Sequence, residues 1–451
     1  MSEKTHVEEP AREVPVAHEC DICVIGGSCT GVFAAVRAAR LGARVAVVEK
    51  QNCFGGMATA GLVYVWHSLH DTEGELPIIG GLTAEIIERL DRRDAVMRNE
   101  RPNVAFRINT EEMKIDLDEM IVEHEITPLL HTHYCAPVMD GDRLDAVIIE
   151  NKNGRQAIRA AQFIDATGDA DLALDLGLSA HEPEAYQPPS MCAKLYGMKT
   201  LGDFDWLAAI REHGEEFGLE KDWGWGGPIP GMPELQFRAD MHVFDLDTTD
   251  AEDLTQAEIE GRRKIRAMLD IIRKYGPEGS SLHLADLAAT IGIRETRRIC
   301  GSYRLTGDDV LTGRRFEDAI ANGSYPVDTH HADGAGITFH YLDGTKRIVP
   351  ERGKPAIMGR WRDPLPEDPK FYQVPFRSLL QERVPNLMLS GRMLDADKAA
   401  FSAVRVMVNT NQTGEAAGVA AWLALDGDVP VQELDPARLR EVLADGGSVI
   451  I

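Results

Sequence analysis

No run of apolar residues in this 451-residue chain approaches the roughly 18 needed to cross a bilayer, so the sequence gives no membrane span. The segment MSEKTHVEEPAREVPVAHE has no hydrophobic signal core, and the expectation is a cytoplasmic protein. Cysteine is sparse. The seven (Cys20, Cys23, Cys29, Cys53, Cys135, Cys192, Cys300) form neither a dense nor an even set, so no disulfide framework follows. Cys20 and Cys23 spell CxxC, but within the apolar run 20–25 strand positions three apart face opposite ways, which speaks against zinc or thiol redox chemistry. Positive charge is also short. Lys plus Arg number 48 against 73 Asp plus Glu, a formal charge of −25. Phosphate surfaces are repelled by such a chain, which excludes nucleic acid or an anionic membrane as its main partner and leaves a small-molecule substrate.

Apolar residues make up 44% of the sequence and the charged 27% are interspersed among them, which describes a folded protein and not a disordered one. The length fits two or three domains. Residues 1–17, with Pro10 and Pro15, read as a flexible tail. A strand over 20–25, a helix over 30–41 and a strand over 44–49 then make a βαβ unit. Its helix places Val32, Ala35, Val36 and Ala39 on one face, and Gly42 stops it. A helix is predicted over 82–93. Strands over 129–138, 145–150 and 156–164, parted by Gly141-Asp142 and Asn153-Gly154 turns, predict a small antiparallel meander. From 181 to 375 Pro, Gly, Trp and His become common and periodicity weakens, the mark of a second domain. A strand over 386–390 and an Ala/Gly-rich helix over 410–425 return to the first. The predicted division is 18–180 with 376–451 as one α/β nucleotide domain, and 181–375 as an inserted substrate domain.

The strongest motif is Gly26-Gly27-Ser28-Cys29-Thr30-Gly31 between the first strand and the first helix, with the acid Glu49, followed by Lys50, 23 residues beyond Gly26. This is the physics of a dinucleotide fingerprint. Gly26 allows the tight turn, Gly31 lets helix and sheet approach, and the helix N-terminus faces a pyrophosphate. Glu49 is placed to accept from ribose hydroxyls. Ser28 stands where the middle glycine is usual, and its hydroxyl can donate to phosphate.

After the second strand comes Phe54-Gly55-Gly56-Met57-Ala58-Thr59-Ala60-Gly61. With Ile164-Asp165-Ala166-Thr167-Gly168-Asp169, Gly292-Ile293-Arg294-Glu295-Thr296-Arg297-Arg298 and Asn386-Leu387-Met388-Leu389-Ser390-Gly391-Arg392 in that order, the chain resembles the FAD-dependent oxidoreductases of the glutathione-reductase-like, fumarate-reductase-related flavoproteins. The resemblance covers most of the chain. It implies a Rossmann-like FAD-binding domain of ββα type, with a parallel sheet, a small antiparallel meander and an inserted substrate domain. It also implies that Gly55 and Gly56, with Met57, Ala58 and Thr59, bring backbone N–H groups to the pyrophosphate, and that Thr167, Gly168 and Asp169 close over the adenine side. Arg392, after Gly391, replaces an acid found in many relatives, which points to charge pairing with the pyrophosphate or to a role for Asp395 or Asp397. Asn411, near the start of the last helix, would meet the flavin pyrimidine edge.

Three groups are candidates for chemistry. His67, in Tyr64-Val65-Trp66-His67-Ser68-Leu69-His70, is a candidate general base because an ordinary imidazole titrates near neutrality. Arg294, Arg297 and Arg298 need partners if buried, and Glu295 can serve only some of them; Arg294 is the candidate to clamp a carboxylate or polarise a carbonyl. His330, in Asp328-Thr329-His330-His331, is a candidate substrate ligand. Neither this set with His340 nor His131 with His133, read as one face of a strand, fixes a metal geometry, so no metal is expected. Trp223-Gly224-Trp225 begins a Gly/Pro loop that would present aromatics over the substrate.

No second glycine fingerprint is present to house NAD(P), and no cysteine pair lies beside the flavin segments. The reading is therefore hydride transfer from a small polar metabolite, a CH–OH or CH–NH donor such as a sugar or polyol, to flavin N5, with reoxidation by oxygen, a quinone or a carrier protein. A flavin monooxygenase or halogenase, and a non-redox flavoprotein (isomerase or lyase), are the alternatives. A homo-oligomer is compatible with the sequence.

Overall fold

The computed structural model describes residues 7, 9–99, 106–222 and 224–451. Its central sheet is built on a strand β1 (Val16–Ile25), a helix α1 (Cys29–Arg40) and a strand β2 (Val45–Val48). The strand starts earlier than the sequence suggests because Val16 already pairs with Ala157. The expected tail therefore ends before Val16; within it, residues 1–6 and 8 lie outside the described residues.

Sheet order is Thr127–Leu129, β2, β1, Gly154–Asp165, Arg143–Asn151, His133–Asp140, with Leu387–Leu389 also paired to Gly154–Asp165. The expected strand over 129–138 is two elements. Thr127–Leu129 joins β2 in parallel, while His133–Asp140 forms the antiparallel meander with Arg143–Asn151. His131, with φ of 51°, sits in the turn between them, so His131 and His133 do not share a strand face. The backbone reverses there because Glu49 and Gln51 carbonyls take the N–H groups of Thr132 and His131.

Register sets the position of the site. Ile25 is level with Val48 and with Asp165, and Asp165 is level with Leu389. With Leu129 level with Val48 as well, five parallel strands end at one edge, and the chain leaves four of them as Gly26, Glu49, Ala166 and Ser390. Ligands in open α/β sheets bind at this carboxyl edge.

Two helices cross beneath it. Helix Met407–Gly427 is buried from Val408 to Ala421, and a Cβ at Gly414 or Gly418 would overlap the carbonyl oxygens of Thr30 or Ala34 in α1. Only residues without side chains permit that approach, which is the use of glycine in this Ala/Gly-rich helix. Ala166 N–H donates to Ile25 and Ser390 N–H to Asp165, so the strand ends are also tied to each other.

Between these segments lie a four-stranded antiparallel sheet in the order Trp225–Ile229, Met232–Ala239, Ala193–Tyr196, His283–Leu287, and a second in the order Val327–His330, Ile337–His340, Thr345–Val349, Ile357–Arg360. Helix Ala251–Tyr275 buries Ile265, Met268, Leu269 and Ile272 and is capped by the Asp250 carboxylate, which accepts from Glu252 and Asp253 N–H. Trp223 of the expected aromatic loop lies outside the described residues; Trp225 stacks on Tyr64 with ring centroids 5.8 Å apart. All seven cysteines are free. Among the described residues no helix is long and apolar enough to cross a membrane.

Candidate functional site

A cavity of about 480 Å³ opens at the carboxyl edge of the sheet and runs toward the two antiparallel sheets, within the usual size for a small-molecule site. Its near end is made by the fingerprint. Gly26 has φ of +102°, and a Cβ there would overlap the Ala166 carbonyl; a Cβ at Gly31 would overlap the Gly26 carbonyl itself. The turn therefore closes only with glycine, and it brings the N-terminus of α1 onto the cavity. Ser28 caps α1 without using its side chain on the helix, and the side chain faces the cavity, free to meet a phosphate. Gly56 packs directly on the Ser28 Cβ, so the two glycine segments adjoin and line the cavity together.

Glu49 is oriented before any ligand arrives. One carboxylate oxygen accepts from Gly27 N–H and the other from Gln51 N–H, both at 2.7 Å. Each oxygen keeps lone pairs for ribose hydroxyls. Across the channel the buried Asp165 takes both the N–H and the hydroxyl of Thr167 on Oδ1 and the Ala173 N–H on Oδ2, which fixes the loop carrying Gly168 and Asp169. Burial pushes the Asp165 carboxyl up to about 6. Arg392 pairs with Asp169 and lies over Gly168. Asp395 and Asp397 take no part. Asp395 accepts from Gly301 N–H and Asp397 caps the helix Lys398–Val404.

Of the expected cofactor residues, Gly26, Ser28, Thr30, Glu49, Lys50, Gly55, Gly56, Met57, Thr167, Gly168, Asp169, Gly391, Arg392 and Asn411 line the cavity. Gly27, Gly31, Ala58 and Thr59 do not. Ala58 and Thr59 are fully buried, the Thr59 hydroxyl donates back to Phe54, and these two residues shape the loop from behind. Asn411 gives the sharpest test of fit. It is fully buried, it faces the cavity, and among the described residues neither its amide oxygen nor its amide nitrogen has a hydrogen-bond partner. A buried amide left so is costly. The alternating donors and acceptors of a flavin pyrimidine edge would satisfy both atoms, and the residues present fit FAD.

The far end holds the candidates for chemistry. His67 lies against Tyr325 with ring centroids 3.8 Å apart. Desolvation and the Arg405 guanidinium push its imidazole down to about 3, so it stays neutral and the near-neutral titration expected of it is absent. Arg294 lines the cavity, donates to the Pro188 carbonyl at 2.6 Å and the Ser190 hydroxyl at 2.9 Å, and is pushed down to about 10 by burial and by Arg405. The other two arginines of that cluster separate. Arg298 is spent on Glu295 at 2.5 Å, and Arg297 lies near Glu182.

Strand Val327–His330 presents Asp328 and His330, two positions apart and therefore on one face, to the cavity. Asp328 Oδ2 accepts from the Tyr325 hydroxyl at 2.7 Å and from Arg405 at 3.3 Å. Its Oδ1 is buried and has no hydrogen-bond partner among the described residues; it lies 3.6 Å from His330 Nε2. His330 Nδ1 is 2.9 Å from His242 Nε2, and His242 Nδ1 is 2.8 Å from Asp222 Oδ1. Burial, with Arg294, His242 and Arg405 nearby, holds the His330 imidazole well below its ordinary value. Arg405, Tyr325, His242 and Asp222 escaped the sequence reading because single residues scattered over 183 positions carry no spacing signal. Among the described residues no cluster of His, Cys, Asp or Glu could hold a metal ion.

Solved structures of low identity resemble the chain. A geranylgeranyl bacteriochlorophyll reductase-like protein from Thermoplasma acidophilum is 10% identical over 95% of this chain and 83% of its own, with a TM-score of 0.46. A flavin-dependent brominase is 12% identical over 94% and 83%, also at 0.46. A flavoprotein/dehydrogenase from Cytophaga hutchinsonii is 12% identical over 94% and 83%, at 0.42. No curated protein matches the sequence. Residues 21–443 match the family described as FAD dependent oxidoreductase, and the chain belongs to that family, with FAD as its cofactor.

Proposed function

We propose that the protein oxidises a small polar metabolite, a CH–OH or CH–NH donor of the sugar or polyol kind, by passing its hydride to FAD. The observation that carries this reading is a buried carboxylate oxygen set beside an imidazole at the far end of the cavity. Asp328 Oδ1 has no hydrogen-bond partner among the described residues, and it lies 3.6 Å from His330 Nε2, too far apart for a bond between them. A carboxylate oxygen left without a donor wants one, and a hydroxyl or amine on the carbon to be oxidised supplies it within reach of the imidazole. Arg294 and Arg405 bring two cations against the one carboxylate of Asp328, an environment that favours the developing negative charge on an oxygen losing its proton.

FAD supplies the acceptor of the electron pair. It would be held by Ser28 and the α1 N-terminus at the pyrophosphate, by Glu49 at the adenosine ribose, and by Asn411 at the pyrimidine edge. The chain's own part is to orient the donor between Asp328 and His330 and to accept its proton on His330. Tyr64, Trp225 and Phe339 line the same chamber and exclude water from it. The substrate domain of this reading is 181–375.

Anaerobic mixing of the yellow holoenzyme with a panel of sugars, polyols, hydroxy acids and amines tests it. Bleaching of the flavin band by a member of the panel supports hydride transfer. Turnover that requires an external reductant and oxygen, with no bleaching by any donor, would replace this reading by the monooxygenase one.

A further inference from the structure

Three buried side chains form a line leading away from the chamber, each contributed by a different segment. Asp222 precedes the strand Trp225–Ile229, His242 follows the strand Met232–Ala239, and His330 ends the strand Val327–His330. Asp222, His242 and His330 are 6%, 3% and 5% exposed. The Asp222 carboxylate holds His242 from two sides, accepting its backbone N–H at 2.6 Å on Oδ2 and meeting its Nδ1 at 2.8 Å on Oδ1.

The protonation pattern follows from donors and acceptors alone. An ionised carboxylate only accepts, so His242 Nδ1 carries the hydrogen. A neutral His242 then has a lone pair on Nε2. The 2.9 Å contact with His330 Nδ1 is a hydrogen bond only if His330 Nδ1 is the donor. That leaves His330 Nε2 without a proton, and this is the nitrogen 3.6 Å from Asp328 Oδ1 in the chamber. One carboxylate at the far end of the line therefore sets the tautomer of an imidazole two residues away.

The charges on either side differ in the direction that moves a proton outward. His330 is faced by Arg294, Arg405, His242 and His331, with Asp328 on its open side. His242 is faced by Asp222, Arg294 and Lys264, the last of which donates to the His242 carbonyl and pairs with Glu220. Burial disfavours an imidazolium at both positions; beyond that, the first has two guanidiniums against it, while the second has a carboxylate in contact to offset Arg294 and Lys264.

We infer that Asp222, His242 and His330 form a proton relay, in which His330 Nε2 takes the proton from the donor's O–H or N–H and the Nδ1 proton of His330 passes to His242 Nε2, so that the positive charge comes to rest beside Asp222. The step balances. The donor loses a hydride from carbon to FAD and a proton from oxygen or nitrogen to Nε2; one N–H bond forms at His330 Nε2, one breaks at His330 Nδ1, and one forms at His242 Nε2. His330 is the residue that touches substrate, while Asp222 and His242 position it and remove the charge. The substrate step rests on the hydride-transfer reading, but the tautomers and the order of protonation do not.

The test therefore uses acid alone, on the FAD-loaded protein without substrate. NMR of labelled histidine nitrogens, assigned with His242→Gln and His330→Gln, reports each imidazole from neutral into mildly acid solution. The expected result is His330 protonated on Nδ1 and bare on Nε2 at neutral pH, with His242 the first of the two to become imidazolium. Asp222→Asn should abolish that preference for His242 while FAD remains bound. A His330 carrying its hydrogen on Nε2, or becoming imidazolium before His242 in the unmodified protein, overturns the relay. Should Asp222→Asn fail to fold, the unmodified protein alone decides. Failure of every donor to bleach the flavin would count against the hydride reading and leave these spectra unchanged.

Discussion

The Cα of Gly31 rests against the carbonyl oxygen of Gly26, so closely that a methyl group at position 31 would overlap that oxygen. The two residues bracket the turn that delivers the N-terminus of α1 to the cavity. Gly31→Val should separate helix from strand and lower stability by about 1–3 kcal/mol, the range for overpacking. Loss of the yellow flavin spectrum after gel filtration, with a reduced melting temperature, is the expected outcome; full flavin retention would contradict this account of the turn.

Asn411 differs in that its side chain is unsatisfied without a ligand. Asn411→Ala removes two buried polar atoms that have no hydrogen-bond partner among the described residues, so the FAD-free protein should melt no lower than the parent, while FAD affinity falls by about tenfold, the equivalent of one hydrogen bond or two. Titration of FAD by fluorescence quenching, beside thermal melts of both apoproteins, separates these effects. A variant less stable without FAD and unchanged in affinity would make Asn411 a packing residue.

The two ends of the site were not equally legible in the sequence. Gly26, Gly31 and Glu49 announce themselves because a tight turn, a helix start and an acid must follow one another along one βαβ unit. Five parallel strands end together, and the sequence shows four of them as apolar runs. The far end is assembled from 64–67, 190–192, 222–242, 290–294, 325–330 and 405–411, where partners meet through sheet pairing and not through spacing. His67 reads as a candidate because its segment closely follows the flavin segment in sequence, yet its surroundings suppress the titration that makes it one. The break between Thr127–Leu129 and its neighbour is invisible in the sequence because a positive φ at His131 leaves no composition signal when the residue is neither Gly nor Asn.

His330 and His67 should respond differently to substitution. Burial holds both imidazoles low, but His330 Nδ1 meets His242 Nε2 at 2.9 Å and can pass a proton on; His330→Gln removes that acceptor, so flavin reduction should slow by about 10²-fold or more, the usual scale for loss of a general base. His67→Phe preserves a ring against Tyr325 and should change donor affinity without moving the pH dependence of the reduction rate, since His67 is pushed down to about 3 and does not titrate near neutrality. Rapid-mixing measurements across pH check both; a pH profile altered by His67→Phe would return His67 to the role of base.

Stability should fall as solution becomes less acid, through Glu415. This side chain is buried in the helix Met407–Gly427, accepts from Leu82 N–H at 3.1 Å and lies 3.7 Å from Arg37. Burial outweighs Arg37 and pushes its carboxyl from 4.5 up to about 7. A carboxyl with a raised folded pKa binds more protons folded than unfolded, so its contribution is complete below the unfolded value and is lost as pH rises through the folded one. Its share of the change between pH 4.5 and 7 is on the order of 2 kcal/mol. Glu415→Gln, which stays neutral, should flatten that part of the denaturant-derived stability curve; an identical slope in both proteins would contradict the assignment.

The central claim is that a small donor reduces bound FAD directly in the chamber between Asp328 and His330. Anaerobic titration of the holoenzyme with the most active member of the donor panel, followed by flavin absorbance and product analysis, measures it. The account predicts complete bleaching with one donor oxidised per FAD reduced, and the loss of rapid bleaching in His330→Gln with the oxidised spectrum intact. Product formed while the flavin stays oxidised throughout, or bleaching as fast in His330→Gln as in the parent, would contradict it.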